Sequence, residues 1–127
     1  MPLQRQKLIL RADVRAQPEA LFLFGDNMVG IGLKGQAREM RGEPNAVGIP
    51  TKWSPGRAPH DYFSDRDMAA FAAVVEERLE RVEEHLRRGG LVIVPEAGLG
   101  SGLSQLPKKA PMLNEWLKTR LARLEKS

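Results

Sequence analysis

Two glycine-rich segments are the part of this 127-residue chain whose residue types could do chemistry. The first contains GIGLKG at residues 30–35, and the second is GLGSG at residues 98–102. Glycine has no Cβ atom, so an anion can approach its backbone closely and several N–H groups can point at it. Two such segments favour a ligand with a diphosphate over one with a single phosphate. The alternative is that both are ordinary tight turns, where glycine is the default residue.

The common nucleotide-binding signatures do not account for these segments. GIGLKG matches the dinucleotide fingerprint G-x-G-x-x-G, but five residues separate it from the end of the preceding predicted strand at Phe24. The acidic residue expected roughly 20 positions later is absent, because that region reads PTKWSP. The chain also has no G-x-x-x-x-G-K-[ST] phosphate loop and no G-x-S-x-G nucleophile turn. A phosphate site of another type is therefore expected.

The elements that position the glycine segments follow from hydrophobic patterning. Strands are predicted at residues 7–10, 20–24, 46–49 and 91–94, and helices at residues 35–40, from Ser64 to Gly89, and from Pro111 onward. Asp67 follows Ser64 in a capping-box pattern at the start of the second helix. This alternation predicts a compact three-layer α/β/α domain with a mixed central sheet. If the strands that precede the glycine segments are parallel, both segments lie at one sheet edge, where ligands bind in such folds.

Composition narrows the class of protein. Hydrophobic residues make up 42% and charged residues 28%, which predicts one globular domain over residues 1–127 without a membrane span. The absence of cysteine excludes disulfides and thiolate sites, and with no secretory signal it favours a cytoplasmic location. The net charge of +4 lies in the last twenty residues. Such a basic end is either a solvated helix face or a surface for nucleic acid.

Residues 8–15, 20–27 and 30–37, taken in order, resemble the start of macro domains. Members of that family open with a strand, a Gly-Asp-Ile turn, a strand ending in Asn-Ala-Ala-Asn and a glycine-rich loop. Their later Ser-Thr-Gly-aromatic-Gly loop is similar to residues 97–102. Small phage and bacterial macro-like proteins with a Phe-Gly-(Asp/Ser)-Asn pattern are similar as well. The resemblance implies a macro-type fold that binds ADP-ribose or a related NAD-derived nucleotide.

The resemblance also implies roles for particular residues. Asp13, with Val14 beside it, would take the adenine, and Asn27 would lie at the distal ribose. Asp26, next to Asn27, could position a water against the anomeric carbon. The first loop would contribute Gly32, Gly35 and Gln36, and the second loop Gly98, Leu99, Gly100, Ser101 and Gly102, which would hold the diphosphate. Two histidines and scattered acidic residues show no metal-ligand spacing, so neither a metal nor a cofactor is expected.

Three functions remain open at this point. The first is recognition of an ADP-ribose-type small molecule or an ADP-ribosylated macromolecule, with or without hydrolysis of an ADP-ribosyl bond. The second is a non-catalytic protein-binding module, such as an inhibitor, that keeps the fold. The third is nucleic-acid binding through the basic C-terminal helix.

Overall fold

The computed structural model describes residues 3–100 and 104–126, which form an α/β fold with four strands and five α-helices. The strands are β1 (Leu3–Gln6), β2 (Leu21–Asn27), β3 (Ala46–Lys52) and β4 (Val92–Pro95). The helices are α1 (Arg11–Ala16), α2 (Ala37–Met40), α3 (Met68–Arg87), α4 (Leu106–Lys109) and α5 (Pro111–Glu125). Two 3₁₀ turns, Pro59–Asp61 and Asp65–Asp67, lie between β3 and α3. Ser101 and Gly102 lie outside the described residues.

The sheet has the strand order β1-β4-β2-β3, and all three pairs of neighbouring strands are parallel. The expectation of a mixed sheet was therefore wrong for the described strands. The reason is that each strand is followed by a helical connection, which returns the chain to the edge at which the strand began. The one antiparallel pairing in the described ranges is an isolated bridge between Lys52 and Tyr62.

Helices cover both faces of the sheet, which confirms the three-layer arrangement. Leu21 and Leu23 pack into a large core with α3, α4 and α5, whereas Phe22 and Phe24 pack into a smaller core with α1 and α2. The chain moves from β1 to β3 through α1 and α2 on one face and returns to β4 through α3 on the other. Crossovers between parallel strands are right-handed, so the connecting helices must change face when the order in which the strands are added reverses its direction across the sheet. The connections leaving the neighbours β2 and β4 therefore diverge to opposite faces, and a crevice opens between them.

Three strands differ from the sequence predictions by more than one residue, and β4 (Val92–Pro95) is shifted by one residue from the predicted 91–94. The first strand was predicted at residues 7–10 but lies at Leu3–Gln6, because the chain turns after it and Asp13 accepts the Leu10 N–H (2.9 Å) to start α1. β2 continues through Gly25, Asp26 and Asn27, which were predicted to form a turn. β3 continues through Pro50 to Lys52. It is the edge strand, where proline's missing N–H interrupts no ladder.

The long helix and the strand after it match the predictions. α3 buries one stripe of its surface, formed by Phe71, Val75, Leu79, Val82 and Leu86. The Asp67 carboxylate accepts the Ser64 N–H at 2.8 Å, and the helix ends before Gly89, which has a φ of +80°. All four residues of β4 are buried. No helix in the described ranges is both long and apolar enough to cross a membrane.

Candidate functional site

A cleft of about 880 Å³ opens at the carboxyl edge of the parallel sheet. One wall is the end of β2 with the loop after it, and another is the end of β3 with residues 55–57. Leu99, Ser104 and Gln105 close the cleft from the β4 side. The two glycine-rich segments therefore lie at the same edge of the sheet, as expected for parallel strands, and within the described residues the second segment lines the cleft through Leu99.

Gln36 joins the two glycine-rich segments directly. Its Oε1 accepts the Gly25 N–H at 2.6 Å, and its Nε2 donates to the Gly98 carbonyl at 3.0 Å. The segments also meet at Gly25, where a Cβ atom would lie 2.4 Å from the Leu99 carbonyl oxygen. A side chain at this position would push the β4 loop away, so the close approach requires glycine.

The loop after β2 is held by side chains that bind its carbonyl groups. Asn27 Nδ2 donates to the Ile31 carbonyl (2.8 Å) and its Oδ1 accepts the Gly30 N–H (2.9 Å). Arg41 Nε donates to the Gly32 carbonyl at 2.7 Å. Gly30 and Gly32 have φ values of +76° and +104°, which L side chains rarely adopt. These contacts fix the backbone of the loop in a single shape.

Five consecutive N–H groups of this loop, those of residues 32–36, donate no hydrogen bond within the part of the chain that the structure describes. Residues 32–35 are exposed, and all five residues line the cleft. A run of backbone donors without acceptors, at a glycine-rich loop that lines a cleft, is suited to bind an anion, since each N–H carries a partial positive charge.

The buried Asp26 and the partly exposed Arg41 form a two-pronged ion pair beside this loop. Arg41 Nη2 lies 2.5 Å from Asp26 Oδ1, and Nη1 lies 3.2 Å from Oδ2. The Asn27 N–H also donates to Oδ1 (2.8 Å). Asp26 and Asn27, the two expected catalytic residues, thus both border the cleft but use their side chains to hold the backbone and Arg41.

Three further cations, Lys34, Lys52 and Arg57, line the cleft. Lys52 is 8% exposed; its Nζ donates to the Gly56 carbonyl at 2.7 Å and lies 4.4 Å from the centroid of the Tyr62 ring. Burial lowers the pKa of Lys52 below its ordinary value, and the charges of Arg57 and Lys34 act in the same direction. The nearby Asp61 carboxylate acts against this lowering.

Sequence reasoning missed Lys52. The predicted third strand ends at residue 49, which leaves Lys52 outside it. The available signal was its position three residues after a predicted apolar strand, since residues beyond the carboxyl end of a parallel strand face the ligand edge of the sheet.

The rim of the cleft is apolar. Ile31 and Leu33 line it and are 55% and 63% exposed, and Val29 on the same loop is also exposed. Large aliphatic side chains held this far into solvent on a folded loop offer contact area to a ligand or partner.

The structure separates the sequence-predicted site residues into two groups. Those that line the cleft are Asp26, Asn27, Gly32, Gly35, Gln36 and Leu99. Gly98 does not line the cleft, although its carbonyl accepts a hydrogen bond from Gln36, which does. The buried Gly100 packs against Leu106, whose Cδ2 would lie 2.7 Å from an added Cβ. Asp13 and Val14 do not line the cleft: Asp13 caps α1 and Val14 is fully buried in the smaller core.

The basic C-terminal helix presents less positive charge than its composition indicates. Arg120 is 4% exposed and lies between two acidic residues of α3, with Nε 2.5 Å from Glu76 and Nη2 3.1 Å from Glu83. Its guanidinium therefore links α5 to α3 through these ion pairs and is not available to bind the phosphate groups of a nucleic acid.

Acid titration of Asp61 tests how the β3 wall is held. Its carboxylate accepts bonds from the Ser54 hydroxyl and the Ala58 N–H (2.9 Å), and both lower its pKa. A lowered pKa contributes stability above the ordinary value of 3.8, and this contribution is lost as pH falls through the folded-state pKa. Asp61→Asn is therefore expected to be less stable than wild type at neutral pH and to converge with it in acid.

Urea unfolding at several pH values from neutral to acid measures the difference in the free energy of unfolding between Asp61→Asn and wild type. Glu77→Gln, at an exposed position of α3, is the control and is expected to follow wild type throughout. A constant gap between Asp61→Asn and wild type down to the most acidic pH would show that the carboxylate charge is not what holds this loop.

The chain belongs to a family of unknown function, DUF7831, whose model matches residues 4–120. No curated protein and no solved structure matches the chain.

Proposed function

We propose, for a member of a family without an assigned activity, that the protein binds ADP-ribose or a related NAD-derived nucleotide in this cleft. The observation that carries the proposal is the run of five free N–H groups at residues 32–36, beside Lys34 and facing a wall that bears Lys52 and Arg57. Phosphate oxygens accept several hydrogen bonds at once, and their negative charge complements the partial positive charges of the N–H groups.

The charge balance of the cleft favours an anion. Among its described lining residues the sole carboxylate is Asp26, and Arg41 already neutralises it. Lys34 and Arg57 form no ion pair with any described residue, so their charge is left for a ligand. The volume of about 880 Å³ falls in the range of roughly 300–1,000 Å³ typical of small-molecule pockets.

The apolar rim supports a nucleotide over inorganic phosphate. Ile31 and Leu33 give a base or sugar an aliphatic surface next to the anion-binding loop. The resemblance of the glycine segments to those of macro domains supports ADP-ribose among the nucleotides. The proposal concerns recognition, because the described lining of the cleft holds no unpaired carboxylate or imidazole that could act as a general base for hydrolysis.

A thermal-unfolding panel with ADP-ribose, NAD and AMP tests the proposal. A ligand present at 100 times its Kd is expected to add about 2.7 kcal/mol to the stability of the folded protein. Lys34→Ala is expected to weaken ADP-ribose binding, and Lys118→Ala, at an exposed position of α5, is the matched control that leaves it unchanged.

Salt dependence distinguishes this site from nucleic-acid binding. Backbone donors in a cleft predict a shallow dependence of ADP-ribose affinity on salt, whereas duplex binding would show a slope of about −0.9 for each phosphate contacted. If no nucleotide stabilises the protein, the proposal is contradicted and a protein-binding module is favoured. If the protein binds duplex DNA and Lys118→Ala weakens that binding, a nucleic-acid-binding module is favoured instead.

A further inference from the structure

Lys52 is a buried amine without a carboxylate partner. It is 8% exposed, and within the described ranges it forms no ion pair; its Nζ contacts are the Gly56 carbonyl and the Tyr62 ring. Lysine is rarely buried to this degree unless it is paired. An unpaired lysine in a cleft is accordingly a candidate for a chemical role, and phosphate attraction could be met by the exposed Lys34 and Arg57 alone.

The surroundings of Lys52 suit a nucleophilic amine. Desolvation and neighbouring cations are the two features that activate lysines for attack on carbonyl groups, because both favour the neutral amine. Both are present here: burial lowers the pKa of Lys52, and the charges of Arg57 and Lys34 act in the same direction, against the opposing charge of Asp61. The Gly56 carbonyl and the Tyr62 ring hold the end of the side chain in place at the cleft wall.

The sheet register places the backbone of Lys52 next to the start of the anion-binding loop. Lys52 is the register partner of Asn27, the residue from which that loop departs, and the Met28 N–H donates to the Lys52 carbonyl at 2.9 Å. A ligand whose phosphate lies on the N–H groups of residues 32–36 can therefore direct its other end toward the β3 wall.

We propose that Lys52 Nζ forms a reversible imine with the aldehyde carbon of a phosphate-bearing reducing sugar held in this cleft. The inference rests on the proposed function, since ADP-ribose carries a free reducing end whereas NAD and AMP do not. The neutral amine adds to the carbonyl carbon of the open-chain sugar, and the π electron pair moves to oxygen. Nitrogen loses a proton, oxygen gains one, and the carbinolamine loses water to give the C=N bond. Amine and aldehyde thus become imine and water without any oxidant or reductant.

Borohydride trapping of the full-length protein with ADP-ribose tests the imine, because reduction converts it to a stable secondary amine. Peptide mapping by mass spectrometry is expected to place the adduct on Lys52 in preference to every other lysine. NAD and AMP are expected to leave no adduct. Lys52→Arg, which keeps the charge but is not a nucleophile, should abolish it, and Lys118→Arg should retain it.

Pyridoxal 5′-phosphate provides a second probe that does not depend on ADP-ribose as ligand. It combines an aldehyde with a phosphate, so borohydride is expected to fix it on Lys52, and pyridoxal without the phosphate is expected to label Lys52 poorly. Labelling spread evenly over exposed lysines such as Lys7 and Lys108 would overturn the inference.

Thermal unfolding of the wild type separates the two claims. If ADP-ribose stabilises the protein but neither probe labels Lys52, the imine is refuted and the binding function stands. If pyridoxal 5′-phosphate labels Lys52 but ADP-ribose does not bind, the reactive amine is supported and ADP-ribose is the wrong ligand. If neither compound binds or labels, both proposals fail.

Discussion

Replacing Arg41 by methionine is expected to lower the free energy of unfolding by about 3–5 kcal/mol, because the substitution leaves a buried carboxylate without its partner. The Asp26 side chain is 5% exposed and its two oxygens meet two nitrogens of Arg41. The variant also loses the bonds from Arg41 to the Ile31 and Gly32 carbonyls, so the anion-binding loop is released. Urea unfolding followed by circular dichroism measures the change.

Two further variants show whether the unpaired charge of Asp26 causes the loss of stability in Arg41→Met. Adding Asp26→Asn to Arg41→Met is expected to recover part of the lost stability, since the carboxylate no longer needs a counter-ion. Arg38→Met, in the helix that Arg41 directly follows, is the matched control; the exposed contact of Arg38 with Glu39 at 3.9 Å is expected to contribute less than about 1 kcal/mol. If the Arg41→Met protein is as stable as wild type, the ion pair between Asp26 and Arg41 does not stabilise the fold.

Replacing Gly32 by alanine is expected to reduce ADP-ribose affinity at least tenfold, or about 1.4 kcal/mol. Gly32 has a φ of +104°, and a Cβ there would lie 3.3 Å from Pro55 Cβ. The backbone must rotate to relieve the strain and the close contact, and this rotation changes the directions of the neighbouring N–H groups. Calorimetric titration of the variant with ADP-ribose measures the loss.

Gly42→Ala is the matched control for Gly32→Ala. Gly42 has a similar φ of +89°, no atom lies within 4 Å of its Cβ position, and it does not line the cleft. Both variants carry left-handed backbone strain of about 1–2 kcal/mol, but Gly42→Ala is expected to bind ADP-ribose like wild type. Equal affinity in the two variants would mean that the loop backbone does not bind the phosphate.

The sequence by itself determined the elements that depend on a local pattern of residues. The 3.6-residue apolar period of α3, the Ser64–Asp67 cap, the apolar run of β4 and the start of α5 at Pro111 were all predicted and confirmed. The α/β class followed from the order of these elements. The local elements depend on residues within a few positions of one another, so a single sequence contains the necessary information. The meeting of both glycine segments at one sheet edge was expected only if their strands were parallel, and the structure decided that condition.

The tertiary structure alone decided the features that depend on distant residues. Pro50 was expected to end β3, but whether a proline ends a strand depends on whether that strand lies at the sheet edge, and strand order is not local. Asp26 and Arg41 lie fifteen positions apart, Gln36 and Gly98 sixty-two, and neither pair carries a local pattern. The burial of Lys52 has the same origin, because the packing of Tyr62 and residues 55–57 around it, not its neighbours in the chain, removes its amine from water.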